Sequence, residues 1–197
     1  MQAAPPHAAP ATALQGGFAD APIDAARAFR AIMDAMARPG QIRRVTCAQP
    51  PAPLSPAAGA VLLTLCDPGT KLHLTAACDT DQVRAWITFH TGAPLVPTEE
   101  ADFALGPWEA LLPLTRFRVG TSEYPDRSAT LIVECTDLAP KGARLTGPGI
   151  AGEARLNLPD LAVFQANRAR FPLGVDFLFT AGDRIAALPR STQVEAG

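Results

Sequence analysis

An α/β fold, three layers deep with a mixed sheet and flanking helices, is predicted by three features of the chain. Capped apolar stretches of helical length recur near residues 24, 56, 80 and 160, and short alternating or β-branched runs lie between them. Gly and Pro punctuate the junctions, and no segment repeats. Nearly half of the 197 residues are hydrophobic, enough to bury a substantial core in one domain.

Residues 1–17 are Ala, Pro, Gln and Gly with almost nothing to bury, so a disordered tail is expected there and one domain over 18–197. A helix follows, with Asp24 as its expected N-cap and Ala26, Phe29, Met33 and Met36 as its core stripe; Pro39-Gly40 stops it. Gln41–Thr46 reads as a short strand and the Pro-rich 49–56 as a loop. Ser55 caps a second helix with Pro56 at its first position. The body of that helix, Ala57–Cys66, is apolar nearly all round and should be deeply buried. After the Asp67–Thr70 turn, Lys71–Thr75 alternates as a strand. Asp79 or Thr80 caps a third helix carrying Val83, Trp86, Ile87 and His90, stopped by Gly92 and Pro94. Asp102–Gly106 reads as a strand, Pro107–Leu111 as a helical turn, and Ala129–Cys135 as a strong strand. A helix over Asp160–Arg170 precedes a buried strand, Val175–Thr180, which pairs with Arg184–Leu188 through the Gly182-Asp183 turn.

Gly147, Gly149 and Gly152 match the spacing of a dinucleotide fingerprint. That motif needs a strand before the glycines and a helix after them, whose amides hold a pyrophosphate. Here Glu153–Leu158 alternates like a strand and Pro159 closes it, so the reading is a hairpin with glycines at positive φ. Whether its amides also face an anion stays open.

The net charge of −2, with acids and bases interspersed, gives no field for nucleic acid, and no apolar run reaches membrane-spanning length. Four scattered Cys and three scattered His lack zinc-ligand spacing. The N-terminus lacks the basic and apolar regions of a signal peptide, and a cytoplasmic protein is expected. His90, at a helix end, is the candidate acid–base residue, against the alternative of a His that bonds a nearby carbonyl. Three loops place Arg beside hydroxyls or glycine, as an oxyanion site requires. They supply Arg127 and Ser128, then Thr146, Gly147 and Gly149, then Arg190 and Thr192, as candidates for binding phosphate or phosphonate; ordinary turns and ion pairs are the alternative. Arg190→Ala is expected to weaken ligand binding without unfolding the chain. Neither Lys71 nor Lys141 has the buried setting of a cofactor-holding lysine, so bound pyridoxal phosphate is not expected, nor any other cofactor.

Six blocks, in order, resemble the PhnH family of the bacterial carbon–phosphorus lyase system: Phe29–Gly40, Val61–Asp67, Phe89–Leu95, Leu145–Ile150, Phe171–Asp176 and Leu188–Glu195. The resemblance spans about residues 18–195. It implies a fold similar to the pyridoxal-phosphate-dependent transferases without that cofactor, and a homodimer. It further implies partner subunits PhnG, PhnI and PhnJ, with the ATPase-like PhnL. The implied role is an accessory subunit in transfer of ribose 5-triphosphate from ATP to an alkylphosphonate, releasing adenine. A phosphate-binding enzyme acting alone is the alternative.

Overall fold

A computed structural model describes residues 15–197. Six strands form the central sheet: β1 (Arg43–Arg44), β2 (Leu72–Leu74), β3 (Phe103–Pro107), β4 (Thr130–Glu134), β7 (Asp176–Ala181) and β8 (Arg184–Leu188). Their order is β1-β8-β7-β4-β3-β2. The run β2, β3, β4 and β7 is parallel, while β8 and then β1 pair antiparallel. A mixed sheet is therefore present, as the interleaved pattern implied. Successive side chains of a strand point to opposite faces, and both faces are buried here. Leu105, Ile132, Leu178 and Ile185 enter one core, while Leu131, Val133, Phe177 and Phe179 enter the other.

The first core is closed by α1 (Ala21–Ala37), α2 (Pro56–Leu65) and α3 (Asp81–His90). Ser55 caps α2, its side chain accepting from the Ala58 amide at 3.1 Å, and Ala57–Leu62 are all buried. Thr80, the second of the two expected caps, starts α3 by accepting from Val83 N.

Two expectations for α1 are corrected. Its N-cap is Asp20, which accepts from Ile23 N, and Pro22 fits the first turn. Asp24 lies inside that turn, where its carboxylate accepts from Asp20 N at 3.1 Å. The buried stripe is Ala28, Ile32 and Ala35, not Ala26, Phe29 and Met33, which are exposed, with Met36 half-buried between the two. Helical periodicity permits either stripe. The small-residue stripe wins because α2 offers its own small residues, Ala57, Ala58 and Ala60, and helices so lined pack closely.

The opposite layer is only partly helical. β5 (Ala143–Thr146), β6 (Ala154–Leu156) and β9 (Gln193–Glu195) form a separate antiparallel sheet in the order β6-β5-β9. Beside it lie α4 (Leu161–Arg168), capped by Asp160, and the 3-10 turn Trp108–Leu111. Trp108, Phe164, Phe177 and Phe179 interlock beneath them, with Trp108 and Phe164 centroids 4.7 Å apart. The glycine stretch is indeed a hairpin connection between β5 and β6, with Gly147, Gly149 and Gly152 all at positive φ. Its loop covers residues 147–153 rather than a tight turn. Residues 15–17, expected in the tail, lie against α3: the Trp86 indole donates to the Gln15 carbonyl at 3.0 Å. The remainder of that expectation, residues 1–14, falls outside the described residues.

Ligands of open α/β sheets usually sit beyond the carboxyl ends of the parallel strands. Here that edge is filled by the chain itself. The Glu134 carboxylate accepts from Ser55 N at 2.7 Å and from the Thr180 hydroxyl at 3.0 Å, joining α2 to β4 and β7. Burial pushes its pKa above the ordinary carboxylate value, against the opposing effect of those donors. A carboxyl whose folded-state pKa is raised favours folding most when protonated, so ionisation costs stability as pH rises through that pKa. Glu134→Gln is therefore expected to melt above the parent at neutral pH. The gap should narrow as pH falls through the raised pKa and close below the unfolded value; a gap that widens on acidification in paired thermal melts would overturn this account.

Candidate functional site

Two of the polar residues singled out from the loops, Ser128 and Arg190, meet at the opposite, amino-terminal edge of the parallel strands. β4 begins at Thr130 and β7 at Asp176, and β8, running antiparallel to β7, delivers Pro189-Arg190 beside Asp176. Arg190 is the hub. Its Nε donates to both Asp176 oxygens at 3.1 and 3.2 Å, and its Nη2 to Asp176 and to the Ser128 hydroxyl. Nη1 donates to the Pro125 carbonyl at 2.7 Å and reaches that of Pro172 at 3.5 Å. The Arg190 backbone N–H also donates to Asp176, at 2.7 Å. All three guanidinium nitrogens are thus engaged within the protein, and the Arg190 side chain is only 12% exposed.

Arg127 differs. Its guanidinium lies over the Tyr124 ring, 4.1 Å from the centroid, and it makes no ion pair among the described residues. It is exposed and can still offer its donors to an anion. A shallow cavity of about 340 Å³ runs between Pro125, Phe171, Pro189 and Arg190.

Thr146, Gly147 and Thr192 form a second group, linked to the first by the Pro189–Thr192 turn, where Thr192 N donates to Pro189 O at 2.9 Å. Thr146 faces Gln193 across the β5–β9 pairing, and a Cβ at Gly147 would lie 3.7 Å from the Thr192 Cα. The Thr192 hydroxyl is buried and has no hydrogen-bond partner among the described residues. Gly149 belongs to neither group: a Cβ there would collide with the Ala37 carbonyl, so its role is the close approach of the loop to the end of α1. Ser128 and Arg190 thus meet at Asp176, with Thr146, Gly147 and Thr192 reached through the Pro189–Thr192 turn, while the Arg127 guanidinium turns to Tyr124.

His90 is remote in kind, lying at the end of α3 in the other layer. Its ring packs on Trp86 and Phe89, with centroids 5.0 and 4.9 Å away, and lies under Gly17. Burial lowers its pKa, with the Gln15 carbonyl opposing in part. Its Nε2 is buried and has no hydrogen-bond partner among the described residues. The cysteines are all free; burial pushes Cys66 and Cys135 up to about 12, which leaves these thiols protonated at neutral pH. Lys71 pairs with Glu100 at 3.3 Å, and Lys141 is exposed in a loop. Neither setting fits a pyridoxal phosphate aldimine.

Asp176 is the residue that loop chemistry alone could not supply. It sits in a buried strand pattern, and its partner is 14 residues away. Its presence changes the expectation for Arg190→Ala. Removing one member of a largely buried pair costs about 3 kcal/mol or more, so the variant is expected to be destabilised by that amount in denaturant titration. Arg127→Ala, at the surface, should cost about 1 kcal/mol or less. An Arg190→Ala chain as stable as the parent would instead return Arg190 to the set of free ligand-binding groups.

Comparison with known proteins covers nearly the whole chain. The chain is 46% identical over 190 residues to the alpha-D-ribose 1-methylphosphonate 5-triphosphate synthase subunit PhnH of Rhizobium meliloti (strain 1021), spanning 91% of this chain and 94% of that relative. It is 30% identical over 202 residues to HtxG of Stutzerimonas stutzeri, whose name assigns it to a C-P lyase, spanning 90% of this chain and 94% of that protein. The family model for the bacterial phosphonate metabolism protein PhnH matches residues 16–195, and the chain belongs to that family.

Proposed function

We propose that this chain is the PhnH-type subunit of an alpha-D-ribose 1-methylphosphonate 5-triphosphate synthase within a carbon–phosphorus lyase system. The observation that carries the reading is the 46% identity, over 91% of the chain, to a protein bearing that name. In the reaction a phosphonate oxygen forms a bond to the ribose C1′ of ATP, the C1′–N9 bond breaks, and adenine leaves with a proton. The chain takes part as a non-catalytic member of the assembly, as a homodimer with PhnG, PhnI and PhnJ, and with PhnL supporting the transfer. A cytoplasmic location suits a chain among whose described residues no helix is long and apolar enough to cross a membrane.

The side-chain chemistry supports an accessory role. Arg190, Asp176 and Glu134 are committed to internal bonds, and His90 is packed against aromatic rings. The fold is read as similar to that of the pyridoxal-phosphate-dependent transferases on the family resemblance; the strand order itself supports a mixed α/β sheet. A second reading has one observation in its favour. Arg127, next to Ser128 in the chain, is exposed and has no ion pair among the described residues, so the subunit contributes a phosphate or phosphonate contact to the assembled site, with Thr146, Gly147, Gly149 and Thr192 on its margin.

Reconstitution decides between these. With the other subunits, ATP and methylphosphonate present, omission of this chain should abolish adenine release, and the purified chain alone should release none. Release at the full rate without it would defeat the subunit reading, and release by the chain alone would defeat the accessory role. Arg127→Ala should leave the rate and the KM for methylphosphonate unchanged if the chain only supports assembly, and raise KM if it touches the ligand.

A further inference from the structure

The outward stripe of α1 gathers three of the exposed large hydrophobic residues, Ile23, Phe29 and Met33, on one helix. Ile23 is 48% exposed, Phe29 48% and Met33 53%, with exposed Ala26 and Ala37 on the same side. At 100° per residue these five positions fall along one face of a helix of 17 residues. A groove of about 750 Å³ runs beside them, edged by Pro22, Arg27, Arg30 and Asp34. Single exposed apolar residues need no explanation, but a contiguous stripe on one helix marks a surface that is covered in use.

We infer that this face of α1 is the surface by which the chain docks onto another protein, one presenting an apolar groove rimmed by carboxylates. The inference rests on the subunit reading above and names the surface that reading requires. Charge selects the occupant. Arg30 has no ion pair among the described residues, and Arg27, its side chain 76% exposed, approaches Asp24 only to 3.9 Å. The carboxylate on the same side, Asp34, is already taken by Arg38 and Arg43. The stripe therefore carries the unpaired Arg30 and the loosely paired Arg27 along one side. The same face of a second copy offers Arg30 no free carboxylate, since Asp34 is already paired, which disfavours self-association here. A lipid surface is recognised by amphipathic helices rich in Lys and Arg, whereas this face has no Lys and only two free Arg, with Asp24 and Asp34 close by. An amphipathic helix set into an apolar groove, its flanking arginines meeting acidic groups, is an established recognition mode.

The test uses the full chain and the co-expressed partner subunits of the complex. Phe29→Asp combined with Met33→Asp should leave the chain's melting temperature and its own oligomeric state unchanged, because both side chains already stand half in water. Its affinity for the partner subunits should fall at least about tenfold. Arg30→Glu, which disturbs no internal contact, should weaken binding about tenfold at low ionic strength, with the difference fading at high salt. It decides the matter alone should the double variant fail to fold. Retention of either variant at parental affinity overturns the proposal. So does conversion of a dimer to a monomer by the double variant, which would make the stripe a self-interface. Sedimentation of the parent chain with phosphatidylserine vesicles, lost in the double variant, would assign the stripe to lipid. The two readings fail separately: adenine release without the chain removes the subunit assignment, whereas a required chain that binds its partners regardless of Phe29 and Met33 removes only the docking face.

Discussion

Strand β7 is the constraint on which the remainder of the structure depends. It lies inside the sheet, parallel to β4 on one side and antiparallel to β8 on the other, and every residue from Phe177 to Ala181 is buried. Such a strand must place apolar side chains on both faces at once. Phe177 and Phe179 meet Trp108 and Phe164 on one side, while Leu178 joins the helical core on the other. Burial of this much aromatic surface is worth several kcal/mol per ring, and it obliges α4, the small sheet and the first three helices to close over the two faces.

The ends of β7 explain where the polar chemistry went. At its start, Asp176 gathers Arg190, and through it Ser128 and the carbonyls of Pro125 and Pro172, so one ion pair ties three loops to a strand. One residue earlier, Val175 is tied to α4 by Asn167, which accepts from Val175 N at 3.0 Å and donates to Val175 O at 2.9 Å. Toward its other end, Thr180 donates to Glu134, which receives the first amide of the α2 cap. Buried polar groups need partners, and Asp176, Arg190, Asn167 and Glu134 find them within the chain. Arg127 on Tyr124, and Arg30 beside the stripe of α1, stand at the surface without an ion pair among the described residues. That distribution suits a protein whose work is done against other chains.

The order and kind of the elements were legible because they rest on local rules. Ser55, Thr80 and Asp160 cap helices as their side chains predict, and Gly182 turns β7 into β8 with φ of 58°. The alternation after Gly152 correctly removed the helix that a dinucleotide loop requires. The three-residue β9 escaped notice, since Gln193–Glu195 gains its identity only by pairing with β5. The candidate site was half legible. Loop composition named Arg190 and Ser128, and they do meet, but composition could not show that Asp176 holds the guanidinium between them.

By itself, then, the sequence determined the alternation of helix and strand, the caps of α2, α3 and α4 though not that of α1, and the glycine hairpin, which depend on residues near one another in the chain, together with the family, which rests on blocks spread along it. Only the tertiary structure decided which of two apolar stripes of α1 turns inward, because that choice depends on the small residues of α2 across the interface. It likewise decided that Arg190 serves the fold and that Phe29 and Met33 stand outside. Burial and pairing are properties of neighbours in space, and periodicity along the chain carries no record of them.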